Sequence, residues 1–127
     1  MEHSSPIFVQ CLNNIDKINS YLLEAKKELE LYTQYKNVVN LYISIYIDLL
    51  WLKKAISSNG KSSKIKVNTL THTIGKKYLN PTDDPFISVY TKNLIRKSRL
   101  LIFDLCSNPP LNNPYLKQLL EHIFLIC

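Results

Sequence analysis

Glycine occurs only twice in the 127 residues, at Gly60 and Gly75. That scarcity excludes the loops that cradle nucleotide phosphates: Gly75-Lys76-Lys77 lacks the upstream glycine of a P-loop, and no G-x-G-x-x-G can be written. Cysteine is sparse as well. Cys11, Cys106 and Cys127 form an odd set with no CxxC pair, so they cannot all pair within the chain, and they spell no zinc framework. Cys11 and Cys106 fall on apolar helical faces, where a buried and inert thiol is expected. The three histidines, His3, His72 and His122, have no ligand spacing with one another. Glu121 and His122 diverge on a helix, because adjacent residues do not share a face. Asp83 and Asp84 stand before Pro85, where helix capping accounts for them. We therefore expect no enzyme, no metal or cofactor, and no small-molecule substrate.

The amino terminus, MEHSSP, has neither a basic n-region nor an apolar h-region, and arginine is absent before Arg96. Neither a secretory leader nor a transit peptide is expected from that pattern. Asn80-Pro81-Thr82 is disqualified as a glycosylation sequon by its proline. An intracellular protein, in cytoplasm or nucleus, is the expectation.

What is present is helical. Neither glycine nor proline interrupts the chain from Ile7 to Asn59, and Phe8, Cys11, Ile15, Ile18, Leu22, Ala25, Leu29 and Tyr32 recur at steps of three and four. Such steps return to one side of an α-helix, and a sustained average of 3.5 is the coiled-coil seam. A single helix over the whole run would be about 80 Å long. A compact chain of this length has a radius of gyration of roughly 14 Å. Either the chain bends back within residues 33–37 as a helical hairpin, or a long helix projects and needs a partner for its seam. The heptad phase puts Lys36 in the seam and Asn37 can serve as an N-cap, so the bend is the expectation.

Residues 38–52, VVNLYISIYIDLLWL, are apolar or aromatic except at Asn40, Ser44 and Asp48. Those three continue a row from Lys36 and predict one narrow polar stripe on an otherwise covered central helix, with Trp51 buried. The stretch is shorter than the roughly 20 residues a membrane span needs and carries an aspartate, so a membrane role is not expected. An Asn59-Gly60 turn among serines predicts a flexible loop near 57–66. Residues 64–79 fit strand and helix alike, and a helix is preferred because no second strand is legible to pair with one. Asp83-Asp84-Pro85 then opens a helix with Ile87, Tyr90, Leu94, Leu101 and Leu105 on one face, closed by Asn108-Pro109-Pro110. Asn113-Pro114 opens the last, with Leu116, Leu119, Leu120, Ile123 and Cys127 as its apolar side. The fold expected is all-α: one domain over residues 1–127, a compact bundle of about five helices at 7–32, 37–57, 67–79, 85–106 and 114–127.

Charge is unevenly distributed. Residues 1–50 hold four lysines against six acids, residues 51–100 hold eleven Lys/Arg against two, and the remainder holds one against two. Two function classes follow. The first is a non-enzymatic protein-protein interaction module, a subunit or adaptor of an intracellular complex or a homo-oligomer, docking through the seam residues Phe8, Ile15, Ile18, Leu22 and Leu29 or through the last helix. The second is a nucleic-acid-associated protein that grips phosphates through Lys53, Lys54, Lys61, Lys64, Lys66, Lys76, Lys77, Lys92, Arg96 and Arg99. Lys92, Arg96 and Arg99 fall at i, i+4, i+7 and make a basic stripe with Lys97 nearby. A solvated surface that keeps an apolar bundle soluble accounts for the same charges.

Overall fold

The long breaker-free stretch bends once, and the bend needs no glycine. Helix α1 (Pro6–Leu29) ends as Leu31 N and Tyr32 N donate to the carbonyls of Glu28 and Leu29, at 3.0 and 3.1 Å. Tyr32 then adopts φ −120°, ψ 122°, an extended conformation open to any residue, and a single 3-10 turn (Thr33–Tyr35) leads into α2 (Lys36–Ser57). Asn37 lies inside the first turn of α2, one residue past the helix start, so it is not the cap that its sequence position suggested. The computed structural model describes the backbone of residues 6–57, 78–108 and 119–123, with side chains from residue 9 onward. Most of the expected loop near 57–66 and of the helix at 67–79 lies outside the described residues, as does most of the expected last helix; Ser57 still belongs to α2, and Tyr78 and Leu79 are not helical.

A second 3-10 turn (Pro81–Asp83) precedes α3 (Val89–Ser107), and residues 119–123 form the described part of a further helix, α4. Every regular element among the described residues is helical, and three of the helices are long. Both α2 and α3 pack on α1. Asp16 of α1 meets Lys53 of α2 at 2.6 Å, while Asn14 and Glu28 of α1 bond Asp104 and Thr91 of α3. Those pairings make α2 and α3 antiparallel to α1, so α1 rather than α2 is the central helix. Cys11, Ile15, Ile18, Leu22, Ala25 and Leu29 all lie in the core, together with Leu41, Ile45, Leu49, Leu52 and Ile56 of α2, Ile95 and Ile102 of α3, and Leu119 of α4.

The start of α3 is held from outside the helix. Ser88 is its N-cap and accepts from Thr91 N at 3.2 Å, and the Glu28 carboxylate accepts from Ser88 N, Ser88 Oγ and Thr91 Oγ1 at 2.9, 2.5 and 2.7 Å. A carboxylate there faces the positive end of the helix macrodipole and satisfies amides that have no intrahelical acceptor. The expected Asp83-Asp84-Pro85 start is thus displaced by four residues. Asp84 accepts instead from Tyr35 Oη, Gln34 Nε2 and Phe86 N, tying the α1–α2 bend to the approach of α3. Asn80 caps the second 3-10 turn through Thr82 N at 3.0 Å.

Helix α2 buries part of the stripe that its pattern predicts as polar; of the predicted α3 face, Ile87, Leu94 and Leu105 are buried and Leu101 packs partly buried against the core, and Tyr90 alone departs. On α2 Ser44 and Asp48 are buried, and Ile43 and Leu50 are exposed. On α3 Tyr90 is exposed, and the inward row is Thr91, Leu94, Ile95, Ser98, Ile102 and Leu105. Serine tolerates the inside because its hydroxyl bonds its own helix: Ser44 Oγ donates to Asn40 O at 3.0 Å and Ser98 Oγ to Leu94 O at 2.9 Å. Neither hydroxyl is stranded, and the small side chain lets a neighbouring helix approach.

Candidate interaction surfaces

The outer side of α3 exposes several large apolar side chains. Val89, Leu100 and Phe103 are 68%, 71% and 53% exposed, while the same helix buries Thr91 and Ser98 to 2% and 1%. Val89, Arg96, Leu100 and Phe103 stand at i, i+7, i+11 and i+14, a straight row of about 21 Å at 1.5 Å per residue. Phe86, at 81% exposed, continues it at the amino-terminal end. The helix reaches this length because Val89–Ser107 contains no glycine or proline and is anchored at its start by Ser88 and Glu28. It ends at Asn108, whose amide donates to Asp104 O at 3.0 Å. Leu100 and Phe103 are neighbours on this row, with Arg96 between them and Val89, and neighbouring exposed apolar side chains mark contact surfaces more often than isolated ones do.

Cations border the row. Arg96 is exposed within it and its nearest donor contact is to Asn93 Oδ1 at 3.5 Å. Lys92 and Arg99 lie half-buried on one flank, and exposed Lys97 stands 5.9 Å from the Tyr21 ring centroid on the other. The sequence reading grouped Lys92, Arg96 and Arg99 on this helix, and the structure does bring them to one side. It missed Val89, Leu100 and Phe103, although their positions opposite Leu94, Ile95 and Ile102 on a helical wheel were the available signal.

The other expected site residues go elsewhere. Ile15, Ile18, Leu22 and Leu29 are buried in the chain's own core, so in this fold they join α1 to its neighbours instead of facing a partner. Phe8 belongs to α1, but its side chain lies outside the described residues. Lys53 is bound to Asp16, and Lys54 sits 5.4 Å over the Trp51 ring. Lys61, Lys64, Lys66, Lys76 and Lys77 lie outside the described residues. A second, smaller apolar surface runs along α2, where Ile47, Leu50, Trp51 and Lys54 line a shallow depression of about 240 Å³. Trp51 is half-buried there, not enclosed as its sequence context predicts.

At the opposite end of α1, Gln10, Cys11, Asn14, Asp104, Leu105 and Asn108 line a cavity of about 250 Å³. Asn14 Nδ2 donates to Asp104 Oδ2 at 3.2 Å, and burial together with the Asp104 charge pushes the Cys11 thiol upward, away from the thiolate form. Burial likewise raises the Cys106 thiol to about 11, although the Leu120 backbone works against the shift. His122 is fully buried on α4, and desolvation lowers its pKa despite the opposing Glu121 charge. Among the described residues no three His, Cys, Asp or Glu side chains gather as metal ligands, and no helix is long and apolar enough to cross a membrane.

No protein family, curated protein or solved structure matches this chain.

Proposed function

We propose that the chain is a non-enzymatic interaction module, a small subunit or adaptor of an intracellular complex, that receives a partner protein on the outer side of α3. The observation that carries this reading is a second apolar side on that helix: Val89, Leu100 and Phe103 face water, while Leu94, Ile95, Ile102 and Leu105 supply the side packed into the core. A helix needed only for its own fold gains nothing from exposing Leu and Phe, whereas a docking surface recovers that cost when water is removed from them. The two described thiols support the non-enzymatic reading, because burial has moved both away from nucleophilic chemistry.

The experiment is a comparison of two tagged chains in the native cell, the wild type and Leu100→Ser/Phe103→Ser, with bound proteins quantified by mass spectrometry. The account expects a defined partner with the wild type and its depletion by tenfold or more, about 1.4 kcal/mol or greater, with the variant. Equal recovery by both chains overturns the docking site. Recovery only of a second tagged copy would assign the surface to a homo-oligomer.

A phosphate-binding role remains as a second reading, favoured by one specific observation: Lys92, Arg96 and Arg99 share a side of α3, with Lys97 close by. Binding of that kind weakens linearly on a log-log plot against salt, by about 0.9 per duplex phosphate contact. Replacing Lys92, Arg96 and Arg99 by Ala would then lower the slope by about two to three.

A further inference from the structure

We propose that the partner element taken by the outer side of α3 is an acidic amphipathic helix. The proposal rests on the docking reading above and specifies its chemistry. Val89, Arg96, Leu100 and Phe103 lie along one straight edge of about 21 Å, the length of four helical turns. An edge of that shape offers ridges and grooves to a second helix, which reads them through apolar anchors at i, i+4, i+7 and i+11.

Charge fixes the sign of the partner. The only acid within α3 is Asp104, and it is half-buried and bonded by Asn14 at 3.2 Å. Arg96 therefore stands in the apolar row with no carboxylate from its own helix, between Lys92 and Arg99 on one flank and Lys97 on the other. Carboxylates flanking the anchors of an incoming helix would meet Arg96, Arg99 and Lys97, while Lys92 already lies near Glu28 and Asp84; a basic or neutral helix would leave Arg96 opposed by like charge or desolvated without a partner. A second copy of the described chain offers no such acids from α1, since Asp16, Glu24 and Glu30 are paired with Lys53, Lys27 and Lys26, and Glu28 holds Ser88. Nucleic acid accounts for the cations but leaves the aliphatic Val89 and Leu100 without a role, because phosphates are met by charge and bases by flat rings.

The test uses the full chain, labelled with 15N, and three designed helical peptides of about five turns. All share Leu anchors at i, i+4, i+7 and i+11, and they differ in carrying Glu, Gln or Lys on the flanks. Unilamellar phosphatidylcholine/phosphatidylserine vesicles and a single-stranded oligonucleotide form the remaining arms. The Glu peptide is expected to shift amides of α3 selectively and to bind at least about tenfold tighter than the Gln peptide at low salt, a difference of about 1.4 kcal/mol. Arg96→Glu/Lys97→Glu, with its thermal midpoint checked against wild type, is expected to reverse the preference from the Glu to the Lys peptide. Equal affinity for the Glu and Gln peptides, or no binding of either, overturns the acidic-helix proposal. The cell-based comparison of the wild type with Leu100→Ser/Phe103→Ser then judges docking separately. Stronger response to vesicles or oligonucleotide than to the Glu peptide also overturns it, in favour of an anionic membrane or a nucleic acid.

Discussion

Glu28 on α1 and Ser88 ahead of α3 are sixty residues apart in sequence, and two hydrogen bonds join them, from Ser88 N at 2.9 Å and from Ser88 Oγ at 2.5 Å. The carboxylate of one helix thereby completes the cap of another, so the position of the exposed side of α3 depends on α1. Ser88→Ala should cost about 1 kcal/mol of stability, as loss of an N-cap side chain does. Glu28→Ala and the double variant then complete a cycle, and a coupling of at least about 0.5 kcal/mol in denaturant unfolding is expected for groups in direct contact. Additive costs would mean that the two residues act independently.

Acid should loosen the protein in two steps. Burial lowers the His122 pKa below its ordinary 6.5, so as pH falls through 6.5 the unfolded chain takes the proton first and stability drops. Hydrogen bonds from Ser88 hold Glu28 below its ordinary 4.5, and the bond from Tyr35 holds Asp84 below 3.8. Their contribution is complete above those values and is lost as pH falls through the still lower folded values. At the alkaline end, burial raises Tyr35 above 10.0, so its contribution is complete below that pH and fades above it. Thermal midpoints measured from about pH 2 to 8 should decline toward acid; a flat profile between about pH 7 and 5 would contradict the His122 assignment, and a flat profile below about pH 4.5 would contradict the carboxylate assignment.

Leu22 and Trp51 should respond differently to truncation. Leu22 is fully buried in the core, and Leu22→Ala should cost about 2 to 5 kcal/mol. Trp51 is half-buried beside Leu50 and under Lys54, so Trp51→Ala should fall below the roughly 3 kcal/mol floor of an enclosed aromatic. Leu22→Glu should unfold the chain, because the seam it interrupts is internal. A folded Leu22→Glu variant that only dissociated an oligomer would return the seam to an intermolecular role.

The register of α1 was legible because its seam is repeated six times from Cys11 to Leu29, and repetition fixes a face without any knowledge of the neighbours. The hairpin was legible from the conflict between helix length and chain size. The burial of Ser44 and Asp48 on α2, and of Thr91 and Ser98 on α3, was not. Ser44 and Ser98 read as polar, yet each hydroxyl is satisfied by its own helix at Asn40 O and Leu94 O, so burial leaves no unbonded group. The displaced cap of α3 has a similar cause. Asp83 and Asp84 have the right composition for an N-cap, but Asp84 is engaged by Tyr35 of a distant turn, and Ser88 has Glu28 to support it. Tertiary partners decided the position of the cap, and they carry no local signature.

Removing the exposed apolar side chains of α3 should leave the fold intact. Leu100→Ser and Phe103→Ser each replace an exposed group, and each should change stability by no more than about 0.5 kcal/mol, as surface substitutions do. Differential scanning calorimetry checks this directly. A loss of several kcal/mol would show that these residues are structural, and it would remove the observation on which the docking surface rests.

The central claim is that the outer side of α3 is where this protein meets another. It is tested most directly by quantitative partner recovery with the wild type beside Leu100→Ser/Phe103→Ser, both tagged, expressed at equal level and verified as folded. The account predicts a specific partner with the wild type and at least a tenfold loss, about 1.4 kcal/mol, with the variant. Undiminished recovery of the same partner by the variant would contradict it.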